Sequence, residues 1–368
     1  MGIVGAAESA YVRHPADDRT THSELAAAAR LALTDAGLEP SEIDGLAVSS
    51  FTLRPDRGID LAVRLGLRLR WLMDAGTGGS SGIDMLQHAM RAVEAGDARA
   101  VLLVAGDVFR AGDFAALVDA YNVATRDHLT PIPTGGPNAI FALLTQRHAR
   151  AHSLEREHYG TLVLAQRRWA SSNAGAVYRT PLTLDEYLEA PVIADPLCLY
   201  DCVPVVAGAD ALVVARTGDG VRVRALGVRH NFDLHEGDGL ETGVSEIAPE
   251  LWRAARTAPA EMDIVSVYDD YPAMALIQLA DLGFGEPHAV LAAIDGDRLP
   301  VNTSGGQLSA GQAGAAGGLH GLVELVGQLR GRAGARQVPN ARLGVASGYG
   351  MVAYRYGASA GAVVLEAA

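Results

Sequence analysis

The 368-residue sequence predicts an α/β protein built from two related halves. Short apolar stretches that suit strands alternate with helical stretches, the pattern of a sheet covered by helices. In each half an apolar strand leads to a glycine-rich turn that opens a long helix, at residues 76–82 and again at 305–318. A stretch rich in Pro, Gly, Tyr and His, from about residue 107 to 196, predicts an insertion over the core of the first half.

In the first half, residues 2–7 form a short apolar opening that predicts a strand. A helix begins at Ser23, carries Glu24 in its first turn, and ends before Gly37, since glycine accepts the left-handed conformation that follows a helix. A helix over 83–95 ends in the same way before a glycine. The other predicted elements are a helical turn at 40–41, a strand at 45–48 and a buried parallel strand at 100–105.

The insertion and the second half follow the same kinds of signal. Helical stretches lie around 141–156 and 158–173, and strands return at 208–215 and 221–227. We place the boundary so that the halves span residues 1–218 and 219–368. The second half contains helices at 247–257 and 272–282, a strand at 264–267, a helix that ends near residue 330, and strands at 337–344 and 361–366.

Composition excludes several classes of function. The formal net charge is −13, which argues against a nucleic-acid binder. All 30 cationic residues are arginine, so Schiff-base, pyridoxal-phosphate and Walker-loop chemistry, which need a lysine, are excluded. The two cysteines, Cys198 and Cys202, cannot form a disulfide framework. The absence of a secretory signal and of an apolar run near ~18 residues predicts a cytoplasmic protein that binds neither membrane nor nucleic acid.

The glycine-rich turn at 76–82 contains Gly-Gly-Ser-Ser-Gly, which matches the G-x-S-x-G pattern of serine hydrolases with Ser80 as the nucleophile. Such a site would need His288 or His320 as its base. Five residues rich in Gly and Ser match easily by chance, so a backbone turn that presents amide groups at a helix N-terminus is the favoured interpretation.

Two other pairs have the spacing of metal ligands. His148 and His152 are four residues apart on a predicted helix, as are Cys198 and Cys202 in their own stretch. A solvated helix face for the histidines and two small buried side chains for the cysteines are the favoured interpretations. We therefore predict no metal on this chain.

Two polar clusters follow apolar strands. Tyr268-Asp269-Asp270-Tyr271 comes directly after the predicted strand at 264–267, at the kind of strand end where α/β proteins bind ligands. Adjacent carboxylates also separate each other's pKa values, which suits acid–base chemistry. Tyr349 lies between two glycines in a second predicted turn at 347–351, where glycine permits close approach of the backbone to a ligand. A helix start and an ordinary turn are the structural alternatives.

Four stretches resemble the thiolase superfamily, in particular its sterol-carrier-protein-X branch. Residues 157–173 resemble the helix of the family's loop domain, with Arg168-Trp169-Ala170 and Asn173 in place of a KNH…NP pattern. The remaining matches are 196–204 with a P-L…CCP segment, 301–306 with NPSGG, and 324–331 with ELxxQLRG. The resemblance covers the whole chain and implies a thiolase fold: two related α/β halves in an αβαβα layering, with a loop-domain insertion in the first half.

The catalytic positions of the family are altered in this sequence. Gly79 or Ser80 stands where thiolases carry the nucleophilic cysteine, and Gln312 where they carry a histidine between Gly and Pro. The stretch 268–271 replaces an H-D-C-F segment, and 347–349 replaces the second cysteine. Thiolysis and Claisen condensation need both thiols. The substitutions resemble those of the steroid side-chain-cleaving aldolases of this branch.

That resemblance implies retro-aldol cleavage of a β-hydroxyacyl-CoA, with a steroid side chain, to a ketone and propionyl-CoA or acetyl-CoA. It implies an acyl-CoA substrate, no cofactor on this chain, and a DUF35-type partner with an OB fold and a zinc ribbon that would hold zinc. A homodimeric core, or a heterotetramer with the partner, is also implied. The acid–base groups would be Tyr268 and Tyr349, with Asp269 orienting Tyr268. Groups that would contact the substrate or its oxyanion are Gly79, Ser80, Gln312, His320 and Gly350.

Two alternatives remain. Loss of the cysteines and the histidine is also what decay would produce, so the chain could be a non-catalytic subunit that scaffolds an acyl-CoA enzyme. It could instead be an acyltransferase that uses Ser80. Tyrosines in the turns where the family keeps catalytic groups favour the aldolase.

Overall fold

A computed structural model describes residues 1–110, 136–216, 220–231, 237–353 and 356–368, together with residues 112, 113, 116 and 117. At 351–353 and 356–357 it describes the backbone alone. Nine strands form one sheet and two short strands form a hairpin. The strands are β1 (Gly2–Glu8), β2 (Gly45–Ser49), β3 (Trp71–Ala75), β4 (Ala100–Asp107), β5 (Val192–Ala194), β6 (Leu197–Cys198), β7 (Gly208–Ala215), β8 (Val221–His230), β9 (Ile264–Ser266), β10 (Leu343–Ala353) and β11 (Tyr356–Glu366).

The helices lie between these strands. They are α1 (Thr21–Ala36), α2 (Arg57–Leu65), α3 (Ser81–Ala95), α4 (Pro137–His152), α5 (Arg156–Ser171), α6 (Leu184–Leu188), α7 (Val244–Ala255), α8 (Pro272–Asp281), α9 (Pro287–Asp295), α10 (Gly306–Ala310) and α11 (Gly317–Leu329). Their ends follow local signals: α1 begins after Thr20, whose hydroxyl accepts from the backbone N–H of Ser23, and ends before Gly37 at φ 66°. In the part of the chain that the structure describes, no helix is both long and apolar enough to cross a bilayer.

The sheet is made of two half sheets with the same topology. The order β3-β2-β4-β7-β1 continues as β8-β11-β10-β9, and a parallel bridge from Val265 to Val301 adds a fifth position beside β9. In each half sheet, parallel neighbours lie on one side and antiparallel strands on the other. The halves join through two residue pairs between β1 and β8, Gly2 with Arg222 and Ile3 with Val221.

The half sheets and the helices form five layers. In β4, Leu102 faces the outer layer of α1 and α2, whereas Leu103 faces α3 and α11. In β11, Val364 faces the outer layer of α7, α8 and α9, whereas Val363 faces α3 and α11. Successive strand residues point to opposite faces, so both faces of each half sheet are buried. The middle layer of α3 and α11 therefore belongs to both halves, and the predicted αβαβα layering is confirmed.

Some predictions of local structure are wrong. Residues 347–351 are not a turn, because they lie inside β10, and Tyr349 pairs with Ala360 of β11. The flanking glycines serve close packing instead: a Cβ added at Gly348 would lie 2.9 Å from the carbonyl oxygen of Gly79. The strand predicted at 337–344 begins only at Leu343. Helices α2 and α9 were not predicted, and neither was the edge strand β3.

Candidate active site

Tyr268 and Tyr349 lie side by side at one end of the second half sheet. Tyr268 follows β9 and Tyr349 belongs to β10, and these strands are parallel neighbours. The centroids of the two rings are 6.4 Å apart. Gln278 of α8 links the two segments, because its amide donates to the carbonyl oxygen of Tyr268 (2.6 Å) and accepts from the hydroxyl of Ser347 (2.8 Å). The two aromatic rings thus lie next to each other at this end of the sheet.

The first half contributes the start of α3 to this site. A Cβ added at Gly79 would lie 2.2 Å from the carbonyl oxygen of Tyr349 and 2.3 Å from the ring of Tyr268. A Cβ added at Gly350 would lie 2.4 Å from the carbonyl oxygen of Thr77. Glycine at both positions lets the helix start and β10 touch. No cysteine side chain fits at position 79, because the ring of Tyr268 fills that space.

The hydroxyl of Ser80 belongs to a chain of hydrogen bonds. The side chain is fully buried, donates to the carbonyl oxygen of Thr77 (2.8 Å) and lies 2.7 Å from the hydroxyl of Ser359. The hydroxyl of Ser359 in turn contacts Nδ1 of His230 at 2.9 Å. These contacts hold the start of α3 against β8 and β11.

Gln312 contacts the phenol of Tyr268 directly. Its Nε2 donates to the phenolic oxygen of Tyr268 at 2.6 Å and to Oε1 of Gln307 at 3.0 Å. Gln312 was predicted as a polar contact, whereas Gln307 was not singled out. The sequence offered only its place in a glycine-rich stretch as a signal.

Asp269 points to the start of α10. Its carboxylate accepts from the backbone N–H of Gln307 (2.9 Å) and of Leu308 (3.4 Å), and glycine at 306 leaves room for it. Burial raises the pKa of Asp269 to about 6, although the two backbone donors act in the opposite direction. Burial and the charge of Asp269 raise the pKa of Asp270 well above its ordinary value. These contacts make Asp269 a group that positions α10.

His320 lies in a buried polar cluster beneath the site. Its Nε2 contacts the hydroxyl of Ser304 (2.8 Å) and its Nδ1 pairs with Glu8 (2.9 Å), with Asp210 at 3.9 Å. Burial by itself lowers the pKa of His320, but the two carboxylates outweigh it and raise the pKa to about 9. His288 contacts the backbone of α4 elsewhere. The geometry therefore does not support a serine hydrolase with either histidine as base.

One group of described side chains has the spacing of a metal site, and the pair His148 and His152 does not belong to it. Glu8, Asp210 and His320 each place one ligand atom within 4.8 Å of the others, and among the described residues they alone have the spacing of a metal site. His148 contacts the hydroxyl of Tyr159 at 2.9 Å, and burial lowers the pKa of His148 to about 4. His148 is therefore buried between α4 and α5, so the solvated face predicted for it is wrong, whereas the half-buried His152 pairs with Glu286 at 3.3 Å.

An apolar wall closes the other side of the site. Phe141 of α4 stacks on Tyr271 with ring centroids 4.3 Å apart and meets the edge of Tyr349 at 6.2 Å. The hydroxyl of Tyr271 donates to Oδ1 of Asn138 at 2.6 Å, and Tyr349 is fully buried. The remaining members of this wall are Ala142, Leu144, Leu197, Met274 and Ile277. The sequence did not predict this wall, because much of it comes from the insertion, and no local pattern encodes where the insertion packs.

Cys198 and Cys202 are free thiols, and only Cys202 borders the apolar wall. Burial raises the pKa of Cys198, and it raises the pKa of Cys202 to about 12. Because the thiolate is the reactive form, neither residue has the character of a nucleophile.

Comparison with known proteins gives a consistent result. Residues 225–366 match the family model described as Thiolase C-terminal domain-like. The chain is 33% identical over 344 residues to the 17-hydroxy-3-oxo-4-pregnene-20-carboxyl-CoA lyase of Mycobacterium tuberculosis, covering 83% of this chain and 86% of the relative. It is 29% identical over 334 residues to the steroid side-chain-cleaving aldolase of Thermomonospora curvata, with 82% and 83% covered.

A solved structure shows the same fold. The complex called Ltp2-ChsH2(DUF35) aldolase contains a chain that superposes with a TM-score of 0.82 at 23% sequence identity. The superposition covers 100% of this chain and 97% of that one.

Proposed function

Because the chain belongs to the thiolase superfamily, in the branch that contains the steroid side-chain-cleaving aldolases, we propose that it cleaves a β-hydroxyacyl-CoA by a retro-aldol reaction. The acyl group would carry a steroid side chain, and the products would be a ring ketone and a short acyl-CoA, propionyl-CoA or acetyl-CoA. Both relatives named above carry names of lyase or aldolase reactions on steroid substrates.

One observation carries the proposal. The ring centroids of Tyr268 and Tyr349 are 6.4 Å apart, and the ring of Tyr268 leaves no space at Gly79 for a nucleophilic side chain. A retro-aldol cleavage needs proton transfer and stabilisation of an enolate but no covalent acyl intermediate. Acyl transfer, by contrast, needs an activated nucleophile.

Tyr268 is suited to be the base. Gln312 donates an N–H to its phenolic oxygen at 2.6 Å, and such a donor stabilises the phenolate. The phenolate takes the proton of the β-hydroxyl group, the C–O bond becomes a carbonyl, and the electron pair of the Cα–Cβ bond moves into the thioester. The products of this step are the ketone and a thioester enolate.

Tyr349 is suited to be the acid. It would give its proton to Cα of the enolate, which yields the short acyl-CoA. Return of the proton from Tyr268 to Tyr349 then restores both tyrosines to their starting states. The start of α3 faces this position, and the backbone N–H groups of Gly79 and Gly350 are our candidates for stabilising the enolate oxygen. The N–H of Ser80, also predicted for this role, donates to the carbonyl oxygen of Thr77 at 3.2 Å. Removal of one such donor typically costs ~10²–10³ in rate.

The proposal includes a protein partner. The solved structure with the same fold is described as an aldolase with a DUF35 component, so we expect a DUF35-type protein, with its own zinc ribbon, to bind this chain. The homodimeric core and the heterotetramer stay predictions. So does the absence of a cofactor on this chain, since CoA would arrive as part of the substrate.

The test is a direct assay of both products. The purified chain, alone and with a DUF35-type partner, is incubated with a steroid β-hydroxyacyl-CoA, and the mixture is separated by liquid chromatography and mass spectrometry. We expect equal amounts of ketone and shortened acyl-CoA. The matched acyl-CoA that lacks the β-hydroxyl group must stay intact, since it has no proton for the base to remove.

Other results would favour the alternatives. Binding of the thioester without any product, with and without the partner, would indicate a non-catalytic subunit. A stable acyl adduct on Ser80 would indicate an acyltransferase. Either result would overturn the retro-aldolase proposal.

A further inference from the structure

We propose that Gln307 is a positioning residue that fixes the direction of the Gln312 amide, so that Gln312 presents an N–H, and not its oxygen, to the phenolic oxygen of Tyr268. The inference deepens the proposed function and rests on it for the role of Tyr268 as base. The geometric claim about the two amides, however, can be tested without turnover.

The amide of Gln312 has one oxygen and one NH₂ group, and the two ends have nearly the same shape. Its Nε2 uses both hydrogens, one toward the phenolic oxygen of Tyr268 (2.6 Å) and one toward Oε1 of Gln307 (3.0 Å). If the amide turned by 180°, the oxygens of the two glutamines would face each other. A half-buried pair of acceptors without a proton between them is unfavourable, so Gln307 selects the observed orientation.

The orientation of Gln307 is itself fixed from two sides. Its backbone N–H donates to the carboxylate of Asp269, which holds the start of α10, and its side chain is buried. Its Oε1 lies against Gly317, the first residue of α11, since a Cβ added there would lie 2.1 Å from that oxygen. The start of a helix carries partial positive charge, which favours an oxygen over an NH₂ group at this place.

The consequence for Tyr268 concerns its ionisation. An N–H donated to the phenolic oxygen stabilises the phenolate, and a hydrogen bond to a charged group is worth enough to move an ionisation by about 1–2 pH units. The titratable groups beside Tyr268 are its chain neighbours Asp269, Asp270 and Tyr271, Tyr349 across the strand pair, and His320, which lines the same cavity. None of them is changed by the substitutions below, so a shift shared by both variants can be assigned to the amide pair.

The experiment uses two independent changes to one contact. Gln307→Leu removes the acceptor oxygen. Gly317→Ala pushes that oxygen away, and its methyl group would also lie 3.3 Å from Cε2 of Tyr268. Gln328→Leu is the matched control, because Gln328 is another buried glutamine, near the opposite end of α11 from Gly317 and hydrogen-bonded to Thr303 and Glu324. We expect the lower limb of the pH profile of kcat/KM to move up by about 1–2 pH units in both test variants, with the control unchanged.

A spectroscopic titration separates this inference from the proposed function. In full-length protein with ¹³C-labelled tyrosine, the Cζ signal of Tyr268, assigned with Tyr268→Phe, is followed by NMR against pH. We expect ionisation of Tyr268 at higher pH in Gln307→Leu and Gly317→Ala than in the native protein. An unchanged titration in either folded variant would overturn the inference, and this holds for Gly317→Ala if Gln307→Leu does not fold. A shifted titration in a chain without aldolase activity would overturn the proposed function alone.

Discussion

A single methyl group at Gly79 tests whether the contact between the two halves sets the geometry of the site. In Gly79→Ala, the new carbon would lie 2.2 Å from the carbonyl oxygen of Tyr349 and 2.3 Å from the ring of Tyr268. Real Cβ contacts begin at 3.0–3.4 Å, so the groups must separate by about 1 Å. The oxygen belongs to a paired strand and cannot move alone, so the ring of Tyr268 or the start of α3 must shift.

A displacement of that size is large for catalysis. Misplacement of a reacting group by about 1 Å can cost 10²-fold in rate, and overpacking a buried contact costs ~1–3 kcal/mol of stability. We therefore expect kcat/KM for the β-hydroxyacyl-CoA to fall by about 10²-fold in Gly79→Ala, with a modest loss in the free energy of unfolding.

The matched control is in the same turn. Gly76→Ala places its methyl group in open space, because nothing lies within 4 Å of a Cβ there, so we expect activity within a factor of two of the native protein, as is usual for a change without new contacts. Steady-state kinetics and urea unfolding of both variants give the comparison. If Gly79→Ala retained most of its activity at unchanged stability, the argument that Tyr268 and Tyr349 are held by this contact would be refuted.

Three further changes test other parts of the structure. Tyr349→Phe, which removes one hydroxyl, should lower kcat by ~10²–10⁴-fold with an unchanged circular dichroism spectrum, and near-normal turnover would remove Tyr349 from the mechanism. His320→Gln tests the buried cluster: folding raises the pKa of His320 from its ordinary 6.5 to about 9, so its contribution is complete below pH 6.5 and is lost as the pH rises through 9. Urea unfolding between pH 6.5 and 9 should show the free energy of unfolding of the native protein falling by ~3 kcal/mol relative to that of the variant. If the free energies of unfolding of the two proteins changed in parallel with pH, the pairing of His320 with Glu8 would be contradicted. Asp107→Ala should cost at least ~3 kcal/mol in urea unfolding, because this buried carboxylate accepts from Ser50, Phe51, Thr52 and Ala315, and a smaller loss would show that water replaces it.

The elements with strong local signals could be predicted from the sequence. Helix α1 was placed to within two residues because its start and Gly37 carry cap signals, and β4 because its apolar run is continuous. Elements at the edge of the sheet were harder to predict from the sequence. β3 has one neighbouring strand and half-exposed side chains, so its sequence lacks the apolar run of a central strand. The helix α2 beside it, which was also not predicted, buries three residues only, Gly58, Leu61 and Ala62.

The site was predictable where strand ends determine it. Tyr268 and the segment of Tyr349 both follow apolar runs, and parallel neighbouring strands bring such positions together. Gly348 and Gly350 were misassigned to a turn because glycine is the usual turn signal, whereas here it permits contact with the start of α3. Gln307 and Phe141 could not be found, since their roles depend on contacts across elements that no local pattern encodes.

The middle layer has a consequence for how the protein matures. α3 and α11 each pack against both half sheets. Among the described strands, two residue pairs between β1 and β8 are the only direct link between the half sheets. Until the halves have docked, each would leave an apolar sheet face in water, and Gly79 would be separated from Tyr268 and Tyr349. Docking of the two halves therefore completes the core and brings Gly79 to the two tyrosines in the same step, so a chain in which one half alone has folded lacks the proposed active site.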